Sequence, residues 1–141
     1  MLCNNDLRFM PNFWQELQKG FDAGYLSLSP LCPLLHGKHV KRPEQFLKGN
    51  IVREQLMGWC IAVDRSIFKK IGKLNEKVEF WYSDNSYGDQ LTAAGLTHAL
   101  CLRSHVYHLH FGSNTLKLLP KDKQNYYMQG QLKNYNDAKG N

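Results

Sequence analysis

The stretch Phe80-Trp81-Tyr82-Ser83-Asp84-Asn85-Ser86-Tyr87-Gly88-Asp89-Gln90-Leu91 decides how the rest of the chain is read. Three aromatic residues run into Asp84, and a polar start to a helix follows. Packing alone is a poor reason for that order, because a carboxylate held against aromatic surface is costly unless it is paired or used. Upstream, Asn4-Asn5-Asp6 follows a short apolar start as if at the end of a strand. Downstream, His108-Leu109-His110 closes a third apolar segment. Polar groups gathered at strand ends are what a ligand site in an α/β sheet requires.

The chain has 141 residues, enough for one domain with its own core. A hydrophobic content of 43% and a charged content of 21% are ordinary for a globular protein. No run is long and apolar enough to span a bilayer, and the first residues are too short and polar for a signal peptide. The four cysteines, Cys3, Cys32, Cys60 and Cys101, form no CxxC pair. Neither a zinc ribbon nor a disulfide framework is therefore expected, and a Cys101/His105/His108 zinc site lacks a recognised ligand spacing. The simplest expectation is a reduced, cytoplasmic protein, at most peripheral at the inner membrane face. The net charge of +6 comes from 18 Lys and Arg against 12 Asp and Glu, which suits a phosphate-bearing ligand. The basic residues are scattered, so a solvated basic face is expected rather than a nucleic-acid interface.

Local patterns divide the chain further. Residues 7–10 read as a strand. Pro11 suits the first helical turn, and Phe13, Trp14, Leu17 and Phe21 recur at helical spacing toward a stop near Gly24. Residues 25–29 alternate like a strand ended by Pro30, and 31–48 read as a loop with room for one turn of helix. Residues 51–56 and 58–63 read as strands, and Asp64 or Ser66 can cap a short helix stopped by Gly72. Asp84 or Ser86 can cap the next helix, which stops at Gly95. Residues 97–103 and 106–110 read as two further strands. The organisation expected is a body over 1–119 and a C-terminal helix or tail over 120–141.

Four segments together resemble a known pattern. Asn4-Asn5-Asp6 resembles the "NND" variant of the DxD motif in family-2 glycosyltransferases of the GT-A fold. The run from Met57 to Arg65, followed by Phe68, Ile71-Gly72 and Asn75-Glu76, is similar to that family's "G-x-x-hydrophobic-x-R … F … hG-x-x-(D/N)E". Trp81-Tyr82-Ser83-Asp84-Asn85-Ser86, running on to Ala94-Gly95, resembles "ED-x-D … R … aG". His108 to Thr115 resembles the closing "H-x-g-S-x-T". The order and spacing fit over Leu2 to about Thr115. Ser86 stands where the family has a second acidic residue, and Gln90 where it has Arg.

The resemblance implies an α/β fold: a truncated GT-A-like (Rossmann-like) mixed sheet flanked by helices, lacking most of the N-terminal nucleotide-binding half. It implies an inverting, metal-dependent glycosyltransferase that moves a sugar from a nucleotide-sugar donor to a glycan or other hydroxyl acceptor. The cofactor implied is Mn²⁺ or Mg²⁺, with Asp6 as one ligand and His110, or else His108, as the last. Asn4, Asn5, Asp6, Gly58 and Trp59 would border the donor phosphate and sugar. Asp84 would be the general base, a role that suits a carboxylate screened from water by aromatic neighbours. Trp81, Tyr82 and Asn85 would meet the acceptor. Structural readings stand beside each of these: Asn4-Asn5-Asp6 as a turn, Asp84 as a helix cap, and the aromatic residues as core. Two alternatives to a complete enzyme follow: a carbohydrate-binding or assembly remnant, and one half of a split enzyme. Either would expose an apolar edge for a second copy or a partner chain.

Overall fold

The computed structural model describes residues 1–78, 82–109 and 119–139. In chain order the elements are β1 (Leu2–Cys3), β2 (Leu7–Phe9), α1 (Phe13–Asp22), β3 (Ser27–Leu31), β4 (Phe46–Lys48), β5 (Cys60–Val63), α2 (Phe68–Ile71), α3 (Ser83–Ala93), β6 (Ala99–His108), α4 (Lys121–Asn125) and α5 (Gln131–Lys139). A π-helical turn, Tyr126–Gly130, joins α4 to α5. The strands form one mixed sheet in the order β1-β5-β3-β6-β2, with β4 also paired to β6. Only β3 and β6 run parallel; the other pairs are antiparallel.

Side-chain alternation divides the apolar residues among the packing layers. Leu28 of β3, Ala62 of β5 and Ala99 and Cys101 of β6 are buried together with Leu17 of α1, with Phe13 and Phe21 packed beside them. Ile61 packs with Ile67, Leu56 and the α3 residues Tyr87 and Leu91 in a second cluster. Leu31, Leu100 and Leu102 form a third. Burial of three to five residues per cluster, with the partly buried apolar side chains packed on them, is the main stabilising term for a sheet of this size.

Several local expectations are corrected. Helix α1 begins at Phe13 behind Asn12, whose φ is 65°, so Pro11 lies before the helix and not in its first turn. Pro30 does not end β3 but lies within it, where the register with β6 jumps from Pro30↔Cys101 to Leu31↔His105. A break in the ladder is where a residue without an N–H can be accommodated in an inner strand. Residues 51–56 form a turn instead of a strand: the amides of Glu54, Gln55 and Leu56 all donate to the Ile51 carbonyl, and Arg53 has φ 67°. The region 31–48, read as a loop with a turn of helix, has that turn as a 3₁₀ turn at Gly37–His39 but also contributes strand β4. The two strands read over 97–110 are one strand, β6, through His108. Asp64 does cap the turn before α2, accepting from the Ser66 amide at 2.8 Å. Neither Asp84 nor Ser86 caps α3; Tyr82, at φ 66°, turns the chain into it.

Among the described residues no helix is long and apolar enough to cross a membrane. All four cysteines are free thiols, and three of them are buried. Burial pushes the Cys60 thiol up to about 12, with Cys3 adding to the effect.

Candidate functional site

Asp6 lies in the link between β1 and β2, the strands at the two ends of the sheet order. The Asn4 amide donates to the Trp59 carbonyl at 2.8 Å, and the Leu109 amide donates to the Asp6 carbonyl at 2.9 Å. These two bonds hold the bend over residues 4–6 against the start of β5 and the end of β6. The sequence that reads as a turn is therefore a turn, with its carboxylate aimed across the sheet. Asp6 Oδ1 lies 3.1 Å from His108 Nε2. Both side chains keep partial access to water, 24% for Asp6 and 15% for His108.

An aromatic row continues from this pair. The Trp59 ring stacks on His108 with centroids 5.8 Å apart and planes 25° from parallel. His36 packs against the other side of the row, 6.1 Å from Trp59, and His39 lies 6.4 Å from His36. His36 is almost wholly buried, and its Nδ1 accepts from the Cys32 amide at 2.9 Å. That bond fixes the tautomer, leaving Nε2 to carry the proton. Burial first, and then the neighbouring His39, lower the His36 pKa to about 4, against an upward pull from Glu54. Among the described residues His36 Nε2, Trp59 Nε1 and His108 Nδ1 are buried without a hydrogen-bond partner. Unsatisfied buried ring nitrogens in a row are uncommon, because each costs about 1–3 kcal/mol.

Asp84 joins the row through the backbone of the preceding residue, Gly58. It sits in the first turn of α3, half-buried, and its Oδ1 accepts from the Asn85 amide at 3.0 Å. A methyl group placed on Gly58 would come within 3.1 Å of Asp84 Oδ2 and 3.0 Å of its Cβ. Glycine at 58 is thus required by close approach, and the carboxylate lies directly on the segment that carries Trp59. Asp84 also lines a cleft of about 240 Å³ with Asn75, Ser83, Ser86 and Gln90 on its polar side. Leu2, Ile61, Val63, Phe68 and Leu74 form the apolar side.

Of the residues singled out in the sequence, the structure brings together Asp6, Trp59 and His108 directly, and Gly58 with Asp84. Asn4 and Asn5 flank Asp6 on the exposed surface. Tyr82 and Asn85 bracket Asp84 on α3, both partly buried. Trp81 and His110 lie outside the described residues. Among those described, His108 is the imidazole on Asp6, and no group of three His, Cys, Asp or Glu side chains is placed to hold a metal ion. That also covers the Cys101, His105 and His108 set. Sequence reasoning missed His36. Its only local signal is the spacing Cys32-Pro33-Leu34-Leu35-His36, which lets the imidazole return to the Cys32 amide. Of the other buried histidines, His39 and His98, the latter serves the core: Tyr87 donates to Ser27 Oγ at 2.8 Å, and Ser27 Oγ lies 2.7 Å from His98 Nδ1.

Comparisons of this chain with protein-family models, with curated proteins and with solved structures give no match.

Proposed function

We propose that this domain transfers a sugar from a nucleotide-sugar donor to a hydroxyl acceptor, with inversion and with a bound divalent cation. The observation that carries the reading is convergence. Four segments far apart in sequence meet in one run of contacts, from Asp6 to His108 at 3.1 Å, to Trp59, and through Gly58 to Asp84. Polar residues at these positions are not needed to fill a core.

One carboxylate and one imidazole make an incomplete ligand set. Such a set suits Mg²⁺ or Mn²⁺, which keep waters and take substrate phosphates as further ligands, better than it suits a closed structural zinc site. The imidazole favours Mn²⁺. Asp6 and His108 would hold the ion, and when bound it would neutralise charge on the departing nucleotide diphosphate. Asp84 would accept the proton of the attacking hydroxyl. Trp59, itself stacked on His108, would border the sugar, Tyr82 would meet it with a ring face that Tyr135 now covers, Asn85 would add a polar group beside it, and Asn4, Asn5 and Gly58 would form an open border for the donor.

A second reading, a carbohydrate-binding or assembly module without turnover, draws support from the apolar rim of the cleft. Leu2 is 52% and Leu74 40% exposed, an edge that a second copy or a partner chain would cover.

A thermal-shift panel of UDP-, GDP-, dTDP- and CMP-sugars with and without Mn²⁺ separates the two. Ligand at about 100 times its dissociation constant stabilises the fold by about 2.7 kcal/mol. The transferase reading expects a Mn²⁺-dependent shift with one nucleotide, lost in Asp6→Ala and His108→Ala, and no turnover in Asp84→Asn. A shift with free glycans but with none of the nucleotide sugars would overturn it in favour of the binding module.

A further inference from the structure

Helix α5 reaches back onto α3 through a single compact clasp. The rings of Tyr135 and Tyr82 stack with centroids 5.6 Å apart and planes only 9° from parallel. The Tyr135 hydroxyl donates to Asp89 Oδ2 at 2.7 Å. The Lys139 ammonium lies 3.3 Å from the same carboxylate oxygen and donates to the Tyr135 hydroxyl at 3.1 Å. The receiving residue is unusual. Among the described residues Tyr82 is one of three non-glycine residues with positive φ; it lies just before α3, and Asp84 follows two positions later.

We infer that α5 is an autoinhibitory strap: Tyr135 occupies the face of Tyr82 on which an acceptor sugar would stack. The inference rests on the function proposed above, because only an acceptor platform at Tyr82 gives the strap something to block. The geometry favours occlusion over a two-walled slot. Rings 5.6 Å apart leave no room for a sugar ring between them. The attachment is also of a kind that releases. Its polar bonds are carried by Asp89, a residue 43% exposed, and by Lys139, 57% exposed, so water and salt compete for them. The remainder of α5 is mostly solvated, with Gln131 its one buried residue.

A strap closed nine-tenths of the time weakens apparent affinity at the covered face about tenfold, because the competent fraction scales the dissociation constant. The test uses the full chain and a panel of methyl glycosides as acceptor probes, with binding followed by ligand-observed NMR. Amide exchange over residues 131–139 is read on the same samples. Tyr135→Ala is expected to tighten binding of at least one glycoside about tenfold and to speed exchange through α5. Asp89→Asn, which keeps both rings and removes the ionic anchor, is expected to give a smaller gain in the same direction. Raising the salt concentration should reproduce that gain in the wild type and leave Tyr135→Ala unaffected. Faster exchange in α5 with unchanged glycoside affinity would overturn the strap and leave the transferase reading intact. Absence of glycoside binding in wild type and both variants would overturn the strap together with the acceptor role of Tyr82. The nucleotide-sugar panel would still report on the donor side.

Discussion

Gly58 is the residue at which the candidate site is most sensitive to a single methyl group. Three Asp84 atoms lie 3.0–3.2 Å from where a Cβ would stand. The Asp84 side chain can yield by a few tenths of an ångström, so Gly58→Ala is expected to cost only about 1 kcal/mol in a urea titration. Displacing a reacting group by that much is expected to lower turnover by tenfold or more. A comparison substitution sharpens the point. At Gly88 the obstructing atom is the Asn50 carbonyl oxygen at 2.9 Å, which is backbone and cannot swing aside. Gly88→Ala should therefore lose more stability than Gly58→Ala. Equal stability losses, or a Gly58→Ala protein with full turnover, would show that Asp84 is not held against residue 58 as described. At this scale the sequence was informative where a residue acts through its neighbours. Asp64 announces its cap on Ser66, and Asp84 announces itself by following an aromatic run. It was silent on His36, whose neighbour Trp59 lies in the turn before β5, and on Gly58 as the site of an approach by α3. Such contacts depend on the packing of distant segments, and no local spacing encodes them.

Asn50 performs at the level of elements what Gly58 does at the level of atoms. Its amide nitrogen donates to Thr92 Oγ1 and to the Leu96 carbonyl, each at 2.9 Å, and its Oδ1 accepts from the His98 amide at 2.7 Å. One side chain thus joins the end of α3 to the entry of β6. Asn50→Ala would leave the His98 amide and the Leu96 carbonyl to find other partners, at an expected cost of about 2–4 kcal/mol in a denaturant titration. Asn50→Asp would keep the acceptor and recover part of the loss. A cost below 1 kcal/mol for Asn50→Ala would mean that water replaces all three bonds. Element types were legible wherever a periodic face or a stop residue marked them, as for α1, α3 and β5. They were not legible where alternation was imitated by a turn, as at 51–56. Nor were they legible where a strand as short as β4 depends wholly on β6 for its ladder. Pro30 misled for a related reason: proline ends a regular strand, but the β3–β6 bulge makes room for it.

Three histidines are buried among the described residues, His36, His39 and His98, and burial disfavours the charged form of each, which shapes the response to acid. Burial lowers the His36 pKa to about 4 and the His98 pKa to about 3, both from an ordinary value of 6.5. In the unfolded chain both bind protons as pH falls through 6.5, while in the folded chain they do not until about 4 and 3. The unfolded state therefore binds more protons in that window, and stability rises with pH across it. Stability is expected to be full above pH 6.5 and to fall progressively toward pH 4, by roughly 3 kcal/mol for each histidine. His36→Gln should flatten the upper part of that decline in urea midpoints measured from pH 7 to pH 4. An unchanged slope would mean that His36 is protonated without leaving its place beside Trp59. The mixed sheet with flanking helices was legible in the sequence as a class. The sheet order was not, because it rests on pairings between the two ends of the chain.

Those end-to-end pairings bear on how the chain is made. Strand β2 meets its partner in the register Leu7↔His108, about a hundred residues later. At translation rates of roughly 5–20 residues per second, β2 leaves the ribosome about 5–20 s before β6 can receive it. During that interval the backbone of residues 7–9 has no partner strand, and Phe9 stays open to other chains. A chaperone that holds short apolar segments at the ribosome exit would meet β2 well before β6 can cover it. Synthesis slowed between β2 and β6 would lengthen the exposure, while the same delay after β6 has emerged would not.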